Sequence, residues 1–273
     1  MRPLSSIEPL ESRRHLDSTL GSDGVLRVLG TGGNDDITFE RGFSNGQHTI
    51  VVHMNDEDTD TWNRRDVRAI HVDGAAGADS VILGNIDVRA HLKGGRGNDS
   101  LSGGLGPDTI DGGPADDYLF GSANDDRIIP AGESDQIIGG SGNRDTVDYS
   151  ERTNDLDIDI SGDDADDGEI GEADSVYSDI EIVQGGSGHD QLGVSSGTRC
   201  TLFGGAGDDT FHGGRAVNVF VGGPGQDRAF GYAGNDVFYF EDNETDTLNG
   251  GAGDDVMDVD NDIDVTTGIE NNI

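Results

Sequence analysis

The chain of 273 residues has almost no positive charge to offer: 17 Lys+Arg face 55 Asp+Glu, and Lys93 is its only lysine. The formal net charge is -38. A surface this poor in cations cannot neutralise phosphates, which excludes a nucleic acid as partner. One cysteine, Cys200, allows no intramolecular disulfide and no multi-cysteine metal site. There is no run of about 18 apolar residues, so no transmembrane segment is expected. Six prolines, and glycines without a three-residue period, exclude collagen. Met1 to Leu20 carries basic residues but no apolar stretch, and so is not a standard secretory signal. Only 32% of residues are hydrophobic and 5% aromatic. That is little for a conventional core, and charge and hydrophobicity alone would place the chain among disordered ones.

What is abundant is glycine and aspartate. The 45 glycines are more than twice the usual share. Of the 55 acids, 43 are Asp. A merely solvated acidic surface has no reason to avoid Glu, whereas a short carboxylate suits turns and ion ligation beside the backbone. The charge is also uneven, with net -5 on residues 1–93 and net -33 on residues 94–273.

The glycines have a period. Gly94-Gly95-Arg96-Gly97-Asn98-Asp99-Ser100-Leu101-Ser102 runs directly into Gly103-Gly104-Leu105-Gly106-Pro107-Asp108-Thr109-Ile110-Asp111. Both read G-G-x-G-x-D-x-U-x, with U apolar. The phase continues, with decay, through Asp117/Leu119, Asp126/Ile128 and Asp135/Ile137. A second set begins at Gly185 and continues through Gly204–His212, Gly222–Phe230, Gly231–Tyr239 and Gly250–Asp258, with weaker copies between and single inserted residues at Val194 and Phe240. Glycines at positions 1, 2 and 4 permit positive φ and bring carbonyls close to an ion. Asp at position 6 supplies a carboxylate. The short x-U-x segment turns one apolar side chain inward. Nine residues thus make half a coil, and two repeats make one rung of a stacked parallel solenoid.

The pattern resembles the RTX, or haemolysin-type, calcium-binding nonapeptide repeat of bacterial extracellular proteins. The resemblance implies an all-β fold, a right-handed parallel β-roll, with several Ca²⁺ ions held between successive turns. Carried onto this sequence, the metal ligands would be Asp99, Asp108, Asp117, Asp126, Asp135, Asp190, Asp209, Asp227, Asp236, Asp246 and Asp255. The turns that lend carbonyls would be those of Gly95, Gly97, Gly104, Gly106, Gly186, Gly188, Gly205, Gly207, Gly223, Gly225, Gly251 and Gly253. Secretion or display on a bacterial cell surface is implied as well, with a cell-surface or polysaccharide partner.

Turns two repeats apart should stack. One edge of the first set then carries Asp99, Asp117 and Asp135, the other Asp108 and Asp126. In the second set one edge carries Asp190, Asp209, Asp227, Asp246 and Asp264, and the other Cys200, Asn218, Asp236 and Asp255. Both non-Asp residues fall on one edge, which predicts one near-complete metal ladder and one broken in its first half. Fourth-position Gly is replaced by Ala115, Asn124 and Glu133, so weaker sites are expected there. Roughly seven or eight Ca²⁺ positions follow, one per stacked pair. Rungs about 4.8 Å apart place ladder carboxylates in mutual repulsion of roughly 3 kcal/mol at an effective dielectric near 20. The inward column (Leu101, Ile110, Leu119, Ile128, Ile137; Leu192, Phe211, Phe238, Leu248, Met257) is thin against that. Folding on Ca²⁺ binding is the expectation.

The remaining chain divides into a tail (1–23), a β-rich cap or irregular rungs (24–93), the first repeat block (94–147), an acidic connecting insert (148–184) and the second block with its C-terminal cap (185–273). Strands are expected at Val25–Leu29, Ile37–Glu40, Thr49–His53, Val67–Val72, Val81–Leu83 and Ile86–Leu92, with an Asn45-Gly46 hairpin turn. Gly30–Thr38 and Gly74–Ile82 are degenerate repeats, with Asp35 and Asp79 at position 6. Pro9 to Leu16 resembles a short N-terminal tag of bacterial extracellular proteins. Asp157, Asp159, Ser161 and Gly162 begin like an EF-hand loop, but Gly168 stands where the bidentate Glu belongs.

No enzyme is expected. HExxH and Walker A patterns are absent, a lipase-type GxSxG elbow is not expected, and with 43 Asp any carboxylate pair identifies nothing. A Ca²⁺-binding structural or adhesive module is therefore the first reading. A Ca²⁺-dependent secretion or folding module of a larger effector is the second, and a polysaccharide-acting β-helix enzyme the third. For that last reading Arg64, Arg65 and Arg68 near Trp62 are the one candidate cluster.

Overall fold

The computed structural model describes residues 17–55, 58–160, 165–195, 197–259, 264–269 and 271–272. It is a parallel β-solenoid of about 10 turns. A 13-stranded sheet runs along one face from Asp17–Leu20 to Asn271–Asn272. The opposite face carries two shorter sheets, an 8-stranded one in the first half and a 7-stranded one in the second. The tag at 9–16 and the residues Ser161 and Gly162 lie outside the described residues.

The nonapeptide phase sets the strand register. Leu101 pairs with Leu119 and Leu119 with Ile137, while Ile110 pairs with Ile128, so copies two repeats apart are neighbours. In the second half Leu192, Phe211, Ala229 and Leu248 stack in one column, and Leu202, Phe220, Phe238 and Met257 in the other. Each three-residue strand turns its middle side chain inward and its flanks outward, as the two-residue period requires. The two columns form one continuous core.

That core is stouter than the U positions alone suggest. The inserted residues Val194 and Phe240 are both buried. Phe240 packs edge-on against Phe211 at 5.8 Å, and Phe220 stacks on Phe238 at 5.0 Å. A Cβ at Gly222 would meet Asp227 Oδ2 at 2.3 Å and the Phe240 ring at 2.5 Å, so this glycine makes room for both the ladder carboxylate and an aromatic. The extra residue lengthens the rung, and the Asp227-to-Asp246 step is 19 residues where Asp209-to-Asp227 is 18.

The N-terminal region supplies rungs as well. Val25–Leu29, Ala69–Asp73 and Ala90–Lys93 are successive strands of the long sheet. Asp36–Ser44 and Gln47–Met54 form an antiparallel hairpin, extended by Asp58–Asn63. Its two-residue turn, Asn45-Gly46, has φ 51° and 76°, the double left-handed geometry of a type I′ turn. The expected strand at Ile86–Leu92 is shorter, confined to Ala90–Lys93. Ile86 and Val88 still point inward and are buried, but they line a turn, where the Ile86 carbonyl accepts from Leu105 N–H.

Residues 148–184 do not interrupt the long sheet, because Thr146–Asp148 pairs directly with Ile182–Gln184. The insert instead swaps the opposite face. Leu156–Asp159 founds the 7-stranded sheet, and Ser175–Val176 closes the 8-stranded one. The buried Asp167 carboxylate joins them, accepting from Asp159 N–H at 2.6 Å and Val176 N–H at 2.9 Å. Arg152 braces the insert through Glu169 and Glu172, each at 3.1 Å.

Ala115 takes a fourth-position glycine's place and is held at φ 98°. A non-glycine residue there costs roughly 1–2 kcal/mol. Ala115→Gly is expected to stabilise the folded chain by about 1 kcal/mol, raising Tm by about 2–4 °C. A thermal melt in Ca²⁺ checks it, and a lowered Tm would contradict the strain.

Candidate functional site

The position-6 carboxylates are stacked and stitched to one another. Asp117 Oδ1 accepts from the backbone N–H of Asp99 at 2.8 Å, and Asp135 Oδ1 from that of Asp117 at 2.8 Å. The same bond links Asp209, Asp227 and Asp246 to the N–H one rung earlier, at Asp190, Asp209 and Asp227. On the long-sheet edge, Asp126 accepts from Asp108 N–H and Asp255 from Asp236 N–H. These are charge-assisted bonds, and they use one oxygen of each carboxylate.

The second oxygen is the site. Oδ2 of Asp79, Asp99, Asp117, Asp126, Asp145, Asp209, Asp227 and Asp236 is buried and has no hydrogen-bond partner. An orphaned carboxylate oxygen away from water is costly unless a cation meets it. Glycine turns press close around each one. A Cβ on Gly205 or Gly207 would run into the carbonyl oxygen of Gly186 or Gly188, and one on Gly223 or Gly225 into that of Gly205 or Gly207. All four glycines have φ between 105° and 148°. Turn carbonyls therefore lie close against the glycines of the next turn. Nowhere among the described residues do three acidic, imidazole or thiol side chains converge. Any ion held here takes only one or two carboxylates and completes its shell with carbonyls, which suits Ca²⁺ better than Mg²⁺.

Not every ladder residue faces such a cradle. Asp108 and Asp190 turn Oδ2 back onto their own turns, accepting from Gly104 and Gly186 N–H at 2.8 Å, and Asp135 does so from Ala131 at 3.1 Å. The ladder of the first half is closed at both ends by protein groups. Asp35 Oδ2 accepts from Thr31 N–H at 2.6 Å, and Asp174 Oδ2 accepts from the Tyr149 hydroxyl at 2.8 Å.

Asp35, Asp79, Asp145, Asp174 and Glu181 belong to the ladders although they are not among the ligands the repeats point to. Asp79 accepts from Asp35 N–H and Asp145 from Asp126 N–H, both at 2.8 Å. Glu181 reaches Asp145 N–H at 2.9 Å with its longer side chain. The degenerate repeats at 30–38 and 74–82 carry the signal for Asp35 and Asp79. Asp174 and Glu181 follow no glycine pattern, and only the register of the insert reveals them.

The edge expected to be broken carries an amide where its neighbours have carboxylates. Asn218 Oδ1 continues the ladder from Cys200 N–H at 3.2 Å, but its Nδ2 donates to Ala216 O at 3.0 Å. A donor stands where an acceptor would face an ion, and the turn seals itself. Cys200 is buried, its Sγ donates to Ile180 O at 3.5 Å, and burial pushes its thiol up to about 12.

Two segments, Gly42–Gly46 and Gly193–Gly197, do spell G-x-S-x-G. Neither forms the strand-to-helix elbow that chemistry needs. Ser44 ends a hairpin strand opposite Gln47, and the Ser195 hydroxyl donates to Asp159 Oδ2 at 2.5 Å. Arg64 is tied to Asp87 at 2.9 Å in a surface ion pair.

The model of the RTX calcium-binding nonapeptide repeat matches in four copies, at residues 93–128, 201–216, 212–244 and 243–265. The chain carries RTX calcium-binding repeats. The comparison with curated proteins found no match. No catalytic family is indicated. No described helix is long and apolar enough to cross a membrane. The RTX ladder is longer than the matched copies, since its carboxylate-to-N–H bonds extend to Asp35 on one side of residue 93 and through Asp145 and Asp174 between the matches.

Burial first, and neighbouring carboxylates second, raise the RTX carboxyls far above the ordinary value near 4. Asp79 and Asp236 rise to about 6, Asp117, Asp209 and Asp227 to about 7, and Asp126 to about 8. Without metal the folded roll binds more protons than the unfolded chain. Its stability is then fully present below about pH 4 and is lost as pH rises through 6 to 8. The metal-free chain is expected to gain β signal by circular dichroism when acidified from pH 8 to pH 4, and a signal that instead falls on acidification would refute this. Asn218→Asp is expected to add about one Ca²⁺ to the stoichiometry found by titration calorimetry; an unchanged stoichiometry would show that the self-sealed amide is not what weakens this edge.

Proposed function

We propose that this chain is an extracellular structural and adhesive module that folds when Ca²⁺ fills its stacked RTX turns. The observation that carries this reading is the row of buried carboxylate oxygens with no hydrogen-bond partner, each pressed against a glycine of its own turn. A cation there supplies the missing electrostatic partner and relieves the repulsion between rungs. Some seven or eight ions, one per stacked pair, would neutralise roughly half of the regional charge of -33.

The same physics supports an extracellular setting. Sites made of one or two carboxylates and carbonyls are weak, filling near 10⁻⁴ to 10⁻³ M as in extracellular modules, and stay empty where Ca²⁺ is scarce. Such a chain would remain unfolded at low Ca²⁺ and fold on meeting it outside. The outer faces of the solenoid, spared from metal binding, are free to engage a cell-surface or polysaccharide partner.

Circular dichroism in EGTA and then in millimolar Ca²⁺ tests the coupling. A β spectrum that appears only with Ca²⁺ is expected, and one unchanged by chelation would end the proposal. Asp209→Ala and Asp227→Ala should each lower the Ca²⁺ stoichiometry by about one and reduce cooperativity, because each removes an orphaned oxygen from the middle of a ladder.

A further inference from the structure

One outward groove of the 7-stranded sheet is built unlike the rest of the roll. Along its outer face Asp159, Gly193, His212, Phe230 and Asn249 stand in successive rungs. His212 and Phe230 stack at 5.4 Å with planes 10° apart, and Tyr232 joins them, 6.1 Å from His212 with its hydroxyl 3.0 Å from Nδ1. The stack stops at Gly193. There a groove of about 510 Å³ opens, lined by Asp157, Asp159, Gln191, Ser195, Arg215 and Tyr232 besides His212.

Two residues in this groove depart from what the fold asks for. Tyr232 occupies position 2 of its repeat, where Gly205, Gly223 and Gly251 have φ from 92° to 111°. Tyr232 is itself held at φ 61°, a conformation that bulky residues rarely adopt, and is 55% exposed. More of it is exposed than buried, its contacts being with the His212–Phe230 stack, and strain of this kind gathers where a ligand is bound. Gly193 departs in the opposite sense. A Cβ there would meet nothing nearer than Asp159 Oδ1 at 3.5 Å, an ordinary contact, and its φ is not left-handed. The ladder glycines are required by close backbone approach, but this one only keeps the groove open.

We infer that this groove binds a neutral oligosaccharide, with sugar C–H groups packed on His212 and Tyr232, which Phe230 backs from beside the groove, and hydroxyls donating to Asp157 and to Asp159, whose oxygens also accept from Ser195. An aromatic surface flanked by a few convergent polar groups, in a groove of this size, is the make-up of a small-ligand site. Carboxylates accept hydroxyl donors, and Arg215 and Gln191 offer donors in return. The chain's charge of -38 repels polyanions and favours an uncharged sugar. The inference deepens the adhesive part of the proposed function by naming its ligand class.

The Ca²⁺-loaded full chain is titrated calorimetrically with cellohexaose, laminarihexaose and maltohexaose, and with hexagalacturonate as the anionic comparison. At least one neutral hexaose is expected to bind and hexagalacturonate is not. Tyr232→Gly, which restores the repeat's glycine, and Gly193→Gln, which fills the groove, should each weaken that binding at least tenfold while leaving the Ca²⁺-induced β spectrum in place. No binding by any neutral hexaose, tighter binding of hexagalacturonate, or unaltered affinity in both variants would each overturn the inference. The dichroism of the same samples reports Ca²⁺-dependent folding separately, so failure of the groove and failure of the calcium reading are told apart.

Discussion

The bond on which the rest depends runs from a backbone N–H to the carboxylate one rung later. It fixes each position-6 side chain against the solenoid wall, commits one oxygen and leaves the other desolvated. Repeating it aligns like charges along the roll, and the second oxygens of Asp99, Asp117, Asp209 and Asp227 are left without a hydrogen-bond partner. A chain built this way is poised between two partners for its carboxylates. Protons serve at low pH, since burial raises these carboxyls, and at neutral pH the proposed partner is a divalent cation.

The hydrophobic interior works within that constraint. One apolar side chain per strand is a narrow column, and the second half thickens it with phenylalanines, including one gained by a single-residue insertion. The glycines do different jobs along the same chain. Those in the turns are forced by carbonyls of the neighbouring rung, Gly222 yields to its own turn's Asp227 and to the Phe240 ring, and Gly193 has room for a Cβ at ordinary contact distance. The glycine excess is therefore several constraints superposed, of which close approach to the neighbouring rung and to the turn's own carboxylate is the most frequent.

The ladder also shows how ends and defects are managed. Asp35 and Asp174 occupy ladder positions but are satisfied by Thr31 and Tyr149, which close the row without leaving a charge exposed to the core. Asn218 closes a turn from within by donating where its neighbours accept. These protein-made caps separate the carboxylates that protein groups satisfy from those whose second oxygen has no hydrogen-bond partner.

By itself the sequence determined the parallel stacking, the register of Leu101 with Leu119 and Ile137, and the turn carboxylates, because a nine-residue period leaves each rung one way to bury its single apolar side chain. It also showed the defects at Cys200 and Asn218, since a missing carboxylate is legible one letter at a time. Only the tertiary structure decided that the long sheet passes unbroken across residues 148–184, that Asp174 and Glu181 extend the ladders from segments without glycine phase, and that His212, Phe230 and Tyr232 meet beside an open Gly193. Those relations join residues some 20 to 40 positions apart through an insert of irregular length. Local pattern cannot set such register; backbone hydrogen bonding between rungs does.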